Sequence, residues 1–177
     1  MLKGDRIELV PFTEEYFQKF ADLRNSETAR DYKIPGIPYP VTVESVRERA
    51  QKERDTSKSG EFAILLNDGG EYIGNISYHS VDWKNRNCEI ALGIGNEENL
   101  NRGLGTEAIG LLLDFLFNEM NLHRVTLDVY DFNERAIRCY EKCGFKKEGF
   151  IREAVYKHGR YINLYVMGIL REEFKAK

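Results

Sequence analysis

Hydrophobic and polar residues alternate near the start of the chain and then change to a helical spacing. Arg6 to Val10 alternates, which predicts a first β-strand. Behind Thr13, aromatic and aliphatic residues recur at helical spacing as far as Leu23, which predicts a helix with Thr13 as its N-cap. Residues 31–41 contain three prolines and a glycine and are predicted to form a loop. Helical spacing resumes from Thr42 to about Arg54.

The middle of the chain has the pattern of an antiparallel β-meander. The three predicted strands are Phe62–Leu66, Tyr72–Val81 and Glu89–Gly95. An Asn-Asp-Gly-Gly segment at residues 67–70 separates the first two and is typical of a hairpin turn. Gly93 and Gly95 lie inside the third strand, where glycine indicates a bulge or the close approach of another backbone or a ligand.

The second half of the chain alternates between helix and strand patterns. The predicted elements are a helix over Asn101–Met120, a strand over Val125–Tyr130, a helix over Asn133–Lys142, and strands over Phe145–Arg152 and Tyr161–Leu170. The resulting order, β-α-α-β-β-β-α-β-α-β-β, is that of a mixed α+β fold with β-α-β crossovers only in its second half. Because no repeat or linker composition interrupts the pattern, residues 1–177 are predicted to form a single domain.

Composition excludes several classes of protein. The 26 Lys and Arg against 29 Asp and Glu give a net charge of -3, which argues against nucleic-acid binding through bulk positive charge. No apolar stretch approaches the ~18 residues of a membrane span, and residues 1–6 lack the apolar core of a secretory signal. Cys88, Cys139 and Cys143 have no CxxC spacing, so we expect reduced thiols, no metal site and a cytoplasmic location.

A glycine-containing loop between a strand and a helix carries the strongest chemical signal. In the segment Leu100–Ala108, Gly103 and Gly105 permit a tight turn and close approach of a ligand. The free amides and positive dipole end of the following helix suit a pyrophosphate, and Arg102 adds a cation. The alternative is a glycine loop that only begins a helix. The loop is neither a Walker A loop nor a Rossmann fingerprint, since the residues that define each are missing.

Two segments together resemble a known family. They are Arg102-Gly103-Leu104-Gly105-Thr106-Glu107-Ala108 and, one strand later, residues 133–145 with Asn133, Ala136, Tyr140, Lys142 and Gly144-Phe145. The chain is similar to the GNAT N-acetyltransferases, and more narrowly to their ribosomal-protein and polyamine branch, over nearly its whole length. It departs from many relatives at Leu100, at Asn101, where glycine is common, and at Cys143.

The resemblance implies a fold and a cofactor site. In the family, acetyl-CoA lies in a V-shaped opening between two splayed central strands of a mostly antiparallel sheet. The strand through Leu92, Gly93 and Ile94 would pair with the pantetheine amides. Residues 101–106 would hold the pyrophosphate, which assigns Asn101, Arg102, Gly103, Leu104, Gly105 and Thr106. Asn133 would bind the pantetheine arm or a water, and alternatively it caps the helix that follows; both roles are compatible.

The resemblance also implies catalytic roles. Tyr140 would donate a proton to the departing CoA thiolate, the alternative being a core aromatic residue. Glu89 would be the general base or the anchor of the amine, the alternative being an exposed strand glutamate. Asp128 and Glu153 are weaker candidates. Attack would be direct, with the thioester and the amine held together and no covalent enzyme intermediate.

Several expectations are less specific. His79, His123 and His158 are expected at the surface or in turns, and Trp83, Phe115 and Phe117 in the core. The acceptor is expected to be a primary amine, of a protein N-terminus or alternatively of a small polyamine. A non-catalytic acyl-CoA-binding module and a purely structural domain stay open as other hypotheses. A homodimer is compatible with the exposed strands predicted near the C-terminus.

Overall fold

The fold is organised around one eight-stranded sheet. It is taken from a computed structural model that describes residues 1–32, 37–52, 55, 57–95 and 97–175. The strands are β1 (Leu2–Lys3), β2 (Ile7–Pro11), β3 (Gly60–Leu66), β4 (Tyr72–Asp82), β5 (Asn87–Ile94), β6 (Arg124–Tyr130), β7 (Lys146–Lys157) and β8 (Arg160–Leu170). The helices are α1 (Phe17–Asn25), α2 (Glu27–Tyr32), α3 (Val43–Lys52), α4 (Leu104–Asp114) and α5 (Glu134–Lys142), and a π-helical turn (Phe115–Glu119) continues α4.

The two middle strands of the sheet diverge. The strand order is β1-β2-β3-β4-β5-β6-β8-β7, and β5 and β6 form the one parallel pair among the described strands. They pair only from Asn87 to Glu89, opposite Arg124 to Thr126. Beyond Glu89, β5 stays paired with β4 while β6 stays paired with β8. The mixed α+β sheet with splayed middle strands is therefore confirmed.

Helix α4 fills the centre of the core because it is apolar on most of its sides. Leu104, Ala108, Ile109, Leu112 and Leu113 are all buried, and each leucine buried in this way contributes roughly 1.5–3 kcal/mol relative to exposure. The π-helical turn adds Leu116 and Phe117, both fully buried. The prediction of Phe117 as core is confirmed, whereas that of Trp83 is wrong. Trp83 is 48% exposed, and its indole N–H donates to the carbonyl of Ser57 over 2.8 Å.

The helix starts differ from their predictions in ways that local chemistry explains. A 3-10 turn precedes α1, in which the Tyr16 N–H donates to the carbonyl of Thr13 and the Thr13 side chain makes no capping bond. Helix α2 was not predicted; it follows Ser26, whose hydroxyl accepts from the N–H of Ala29. Helix α4 begins at Leu104 rather than at Asn101. Residues 33–36 of the predicted loop, and Arg54, lie outside the described residues.

Glycines in β4 and directly after β5 accommodate neighbouring elements rather than a bulge. A Cβ on Gly74 would lie 2.0 Å from the carbonyl oxygen of Gly93, and one on Gly95 would lie 2.4 Å from Cδ1 of Leu23. The predicted close approach is thus confirmed at Gly95, and the backbone of Gly93 in turn lies close to Gly74 on β4. The irregularity between β4 and β5 instead falls between His79 and Asp82, at the other end of the pair.

Strand β7 of the β7–β8 hairpin forms one edge of the sheet and is largely exposed. Phe150, Tyr156 and Tyr161 are each at least half exposed on it. No helix in the part of the chain that the structure describes is long and apolar enough to cross a bilayer.

Candidate active site

A cavity of about 470 Å³ occupies the opening between β5 and β6. Its walls are the end of β5, the loop before α4, the first turn of α4, one side of α5 and the end of β6. The cavity exists because β5 and β6 stop pairing at Glu89, so the sheet is open beyond that residue. Most of the residues singled out in the sequence meet at this opening.

The loop before α4 presents backbone amides to the cavity. Gly103 has φ 79°, a left-handed conformation that only glycine adopts readily, and it is the N-cap of α4. The first hydrogen bond of the helix runs from the N–H of Glu107 to the carbonyl of Gly103. The N–H groups of the three intervening residues therefore have no partner within the helix. Gly105 and Thr106 are two of these residues, and both line the cavity.

Asn101 also adopts a left-handed conformation, with φ 60°. Asparagine is among the few residues other than glycine that tolerate it. The replacement of the family's usual glycine by Asn101 is therefore compatible with the loop geometry. Leu100 packs against the core and lines the cavity as well.

Gly105 leaves little room beside the start of α4. A Cβ at this position would lie 3.3 Å from Cδ2 of Leu92 and 3.4 Å from both Cδ1 of Ile94 and Sγ of Cys139. The Cys139 sulfur is 3.4 Å from Oγ1 of Thr106, and the Cys143 thiol donates to the Thr106 carbonyl over 3.6 Å. Glycine at position 105 thus allows β5, α4 and α5 to converge at the cavity floor.

A contact that the sequence did not reveal braces this loop from outside. Glu107 accepts from the backbone N–H and the Nε of Arg6, over 2.8 and 2.9 Å. Nη1 of Arg6 also donates to the carbonyl of Arg102 over 2.6 Å. The side chain of Arg102 itself is exposed, does not line the cavity, and reaches Oδ1 of Asn99 over 3.3 Å.

Positive charge on the cavity wall comes from α5 instead. Arg135, Arg138 and Lys142 lie at helical spacing and line the cavity. Sequence analysis missed them because the amphipathic pattern of a short helix does not say what its polar side faces.

Two residues predicted to bind or act on the coenzyme lie on the side of α5 that faces the cavity. Asn133 is the N-cap of this helix, and Tyr140 lies within it. Asn133 is buried, and its Oδ1 accepts from the N–H of Ala136 over 3.2 Å, so the N-cap interpretation is confirmed. Tyr140 lies about two turns further on and is only 8% exposed, with its ring edge-on to Phe145. Burial raises the pKa of Tyr140 well above its usual value, so its hydroxyl stays protonated.

Acidic and imidazole side chains line the apex of the opening, which is the point where β5 and β6 stop pairing. Glu89 is the last residue of β5 that pairs with β6, and Asp128 follows two positions after its partner Thr126. His79 also lines the cavity, and it is half-buried on β4 rather than in a turn. His123 is exposed, and His158 lies 3.0 Å from Asp31. Glu153 is outside the cavity.

A mixed sheet that opens over a glycine loop and a helix N-terminus defines the class of acyl-CoA N-acyltransferases. The family comparison agrees with this class. The chain belongs to the acetyltransferase (GNAT) domain family, because the family model matches residues 6–146.

Curated relatives span most of the chain. An uncharacterized N-acetyltransferase, p20 of Bacillus licheniformis, is 29% identical over 92% of this chain and 97% of its own length. The spermidine N(1)-acetyltransferase of Escherichia coli is 28% identical over 100% of this chain and 92% of its own. A putative ribosomal N-acetyltransferase of Bacillus subtilis, YdaF, is 33% identical over 67% of this chain and 64% of its own length.

The fold is also that of a solved acetyltransferase. The crystal structure of spermidine N-acetyltransferase from Vibrio cholerae in complex with CoA and spermine has a TM-score of 0.88 to this chain. The match covers 96% of this chain and 98% of that one at 24% identity. The expected GNAT fold is thereby confirmed.

Proposed function

We propose that this N-acetyltransferase moves the acetyl group of acetyl-CoA to a primary amine of a small polycation such as a polyamine. The observation that supports a cationic acceptor is the separation of negative and positive side chains within the cavity. The carboxylates of Glu89 and Asp128 lie where β5 and β6 separate, whereas cations lie along α5. A polycation is attracted to the acidic end, and a phosphorylated coenzyme to the basic end. The names of two relatives, both spermidine N(1)-acetyltransferases, support the same acceptor.

The residues present fit the coenzyme. The amides at the start of α4 that have no partner within the helix suit its pyrophosphate, and Arg135, Arg138 and Lys142 suit its phosphate charges. The edge of β5 from Leu92 to Ile94 has no β6 partner and offers backbone groups to pantetheine amides. Asn133 would use its Nδ2, since its Oδ1 caps α5. When bound, the coenzyme supplies the activated acetyl thioester.

The side chains at the apex suit proton transfers on both reactants. An acceptor ammonium must lose one proton before its nitrogen attacks the thioester carbonyl carbon. The C–N bond then forms and the C–S bond breaks, and the nitrogen loses its second proton. Tyr140 would give a proton to the departing thiolate, because burial keeps its hydroxyl protonated, and the second proton of the nitrogen would restore that hydroxyl. Glu89 would anchor the ammonium or accept its proton directly or through water.

An acceptor panel tests this proposal. The protein is incubated with acetyl-CoA and, separately, with spermidine, spermine, an aminoglycoside and ribosomal-protein N-terminal peptides, and released CoA thiol and product mass are followed. We expect turnover with the polyamines and little with the peptides. Turnover confined to the peptides would favour the protein N-terminus as acceptor. Saturable acetyl-CoA binding with no product from any amine would favour the non-catalytic module.

Two further proposals concern organisation. Residues 1–177 act as one domain, since β6, β8 and β7 complete the sheet that β1 to β5 begin.

The exposed aromatic residues of the β7–β8 hairpin, among them Phe150 and Tyr156, suit contact with a second copy of the chain. Light scattering of the wild type and of Tyr156→Glu tests this. A dimer that the substitution dissociates is expected, and a wild-type monomer would contradict it.

A further inference from the structure

His79 and Glu89 are direct cross-strand neighbours at the apex of the cavity. The register of β4 and β5 places them opposite each other, and both side chains line the cavity. Opposite residues on one face of an antiparallel pair have Cβ atoms about 4.5–5.5 Å apart. An imidazole and a carboxylate are thus held side by side where β5 separates from β6.

The backbone after His79 is shaped in a way that fixes this side chain. The pairing of β4 with β5 becomes irregular directly after His79, and Ser80 has φ 57°, a left-handed conformation unusual for serine. Nδ1 of His79 lies 3.3 Å from Oγ of Ser80. When Ser80 accepts this hydrogen bond, Nε2 carries the lone pair and is the nitrogen able to take a proton.

The side chains of His79 and Glu89 are neighbours but do not form an ion pair with each other. No salt bridge links the imidazole to the carboxylate in the described part of the chain. His79 is half-buried and Glu89 is exposed to the cavity. A ligand nitrogen or a water between them could therefore hydrogen-bond to both.

We propose that His79 and Glu89 form the subsite for the acceptor nitrogen, in which His79 takes the first proton of the ammonium. Glu89 attracts the ammonium, and the proton passes to the lone pair of the imidazole nitrogen. The neutral amine that results attacks the thioester carbon. The imidazolium later releases its proton to solvent, so one proton leaves per turnover. This inference rests on the proposed acetyl transfer and adds an acceptor subsite to it.

The surrounding charges favour such a transfer. Glu89 on β5 and Asp128 on β6 provide the carboxylates of the apex, and they attract the cationic acceptor. Among the residues that the structure describes, the cations that line the cavity, Arg135, Arg138 and Lys142, all lie on α5. A histidine changes charge between about pH 5 and 8, which suits a general base at neutral pH.

The test compares His79→Gln with His123→Gln, which removes an exposed histidine outside the cavity. For His79→Gln we expect kcat/KM for spermidine to fall about a hundredfold at pH 7. The acidic limb of the kcat/KM pH profile should also be lost, while CoA affinity by calorimetry stays within about twofold. His123→Gln should match the wild type. In His79→Gly, added imidazole should restore part of the rate.

Each other outcome is informative. An unchanged rate and pH profile for His79→Gln, in an active wild type, would overturn this inference alone. A large loss of CoA affinity, with no imidazole rescue in His79→Gly, would assign His79 a structural role and overturn it too. A wild type that binds CoA but acetylates no amine would overturn the proposed function, and this inference with it.

Discussion

Arg6 ties the first long strand to the helix that begins at the cavity, through two hydrogen bonds to the carboxylate of Glu107. Its Nη1 also holds the carbonyl of Arg102, directly before Gly103. The side chain of Glu107 is only 15% exposed, so this contact is better shielded than a typical surface ion pair. The loop is therefore preorganised from outside the cavity.

Breaking this contact should weaken CoA binding whichever partner is changed. We expect Arg6→Gln and Glu107→Gln each to raise the Kd for CoA about fivefold in calorimetry, or about 1 kcal/mol. The two variants change the local charge in opposite directions. A charge effect alone would weaken binding of the anionic coenzyme in Arg6→Gln and strengthen it in Glu107→Gln, which would contradict the bracing role.

A distant ion pair provides the control. Glu148→Gln disrupts the pair between Glu148 on β7 and Arg124 on β6, neither of which lines the cavity. This variant should leave the Kd for CoA unchanged and lower stability by at most about 1 kcal/mol.

Two glycines near α4 should respond oppositely to alanine. Gly103→Ala places a side chain at φ 79°, with a Cβ 3.3 Å from Nη2 of Arg6, so it should destabilise the fold by about 1–2 kcal/mol and weaken CoA binding. Gly110→Ala, inside the same helix with no atom within 4 Å of the new Cβ, should stabilise it by up to about 1 kcal/mol. Thermal unfolding with and without CoA measures both. Equal effects would show that the left-handed turn is not required.

Tyr140→Phe should separate chemistry from binding. The substitution keeps the buried ring against Phe145 and removes only the hydroxyl. We expect kcat to fall about a hundredfold, with CoA affinity and thermal stability nearly unchanged. Because the pKa of Tyr140 is raised, its deprotonation should not limit the wild-type rate at pH 9.

A buried tyrosine outside the cavity is the matched control for that substitution. Tyr16→Phe removes the hydroxyl of a residue that stacks on Tyr72 and does not line the cavity, so activity should be retained. Equal activity losses in the two variants would refute a proton-donor role for Tyr140.

Cys139 should be the reactive thiol of the chain. A hydrogen bond with Cys143 lowers the pKa of Cys139 to about 7 despite partial burial, and Thr106 and Lys142 act in the same direction. Burial raises the pKa of Cys88 to about 12. The thiolate is the nucleophile, so iodoacetamide should label Cys139 with a rate midpoint near pH 7 and leave Cys88 unmodified.

The position of Cys139 on the cavity wall adds a second expectation. CoA should protect Cys139 from iodoacetamide, and Cys143→Ala should move the midpoint of labelling to higher pH because the hydrogen bond is lost. Peptide mass spectrometry measures both. Labelling of Cys139 that CoA does not slow would contradict the placement of the coenzyme beside Thr106.

The predictable part of the fold and site is the part that local sequence determines. The turn at Gly103 and the N-cap at Asn133 follow from conformational preferences within a few residues, and both are observed. The meander and the β-α-β units follow from the spacing of apolar residues. The family motifs then indicated where the strands separate, which no spacing within β5 alone could show.

The missed features depend on contacts between distant segments or on very short elements. Arg6 and Glu107 lie 101 positions apart in the chain, so nothing local signals their contact. His79 lies in a strand buried on both faces, where alternation does not reveal which side meets a cavity. Helix α2 has only six residues, too few for a helical period to be recognised.

Backbone hydrogen exchange with and without acetyl-CoA tests most directly whether the opening between β5 and β6 holds the coenzyme. We expect the amides of residues 90–94 and 103–106 to exchange more slowly when acetyl-CoA is bound, and those of β2 and β3 to be unaffected. Unchanged exchange rates in both segments would contradict the account. So would slower exchange that is confined to another surface, such as the β7–β8 hairpin.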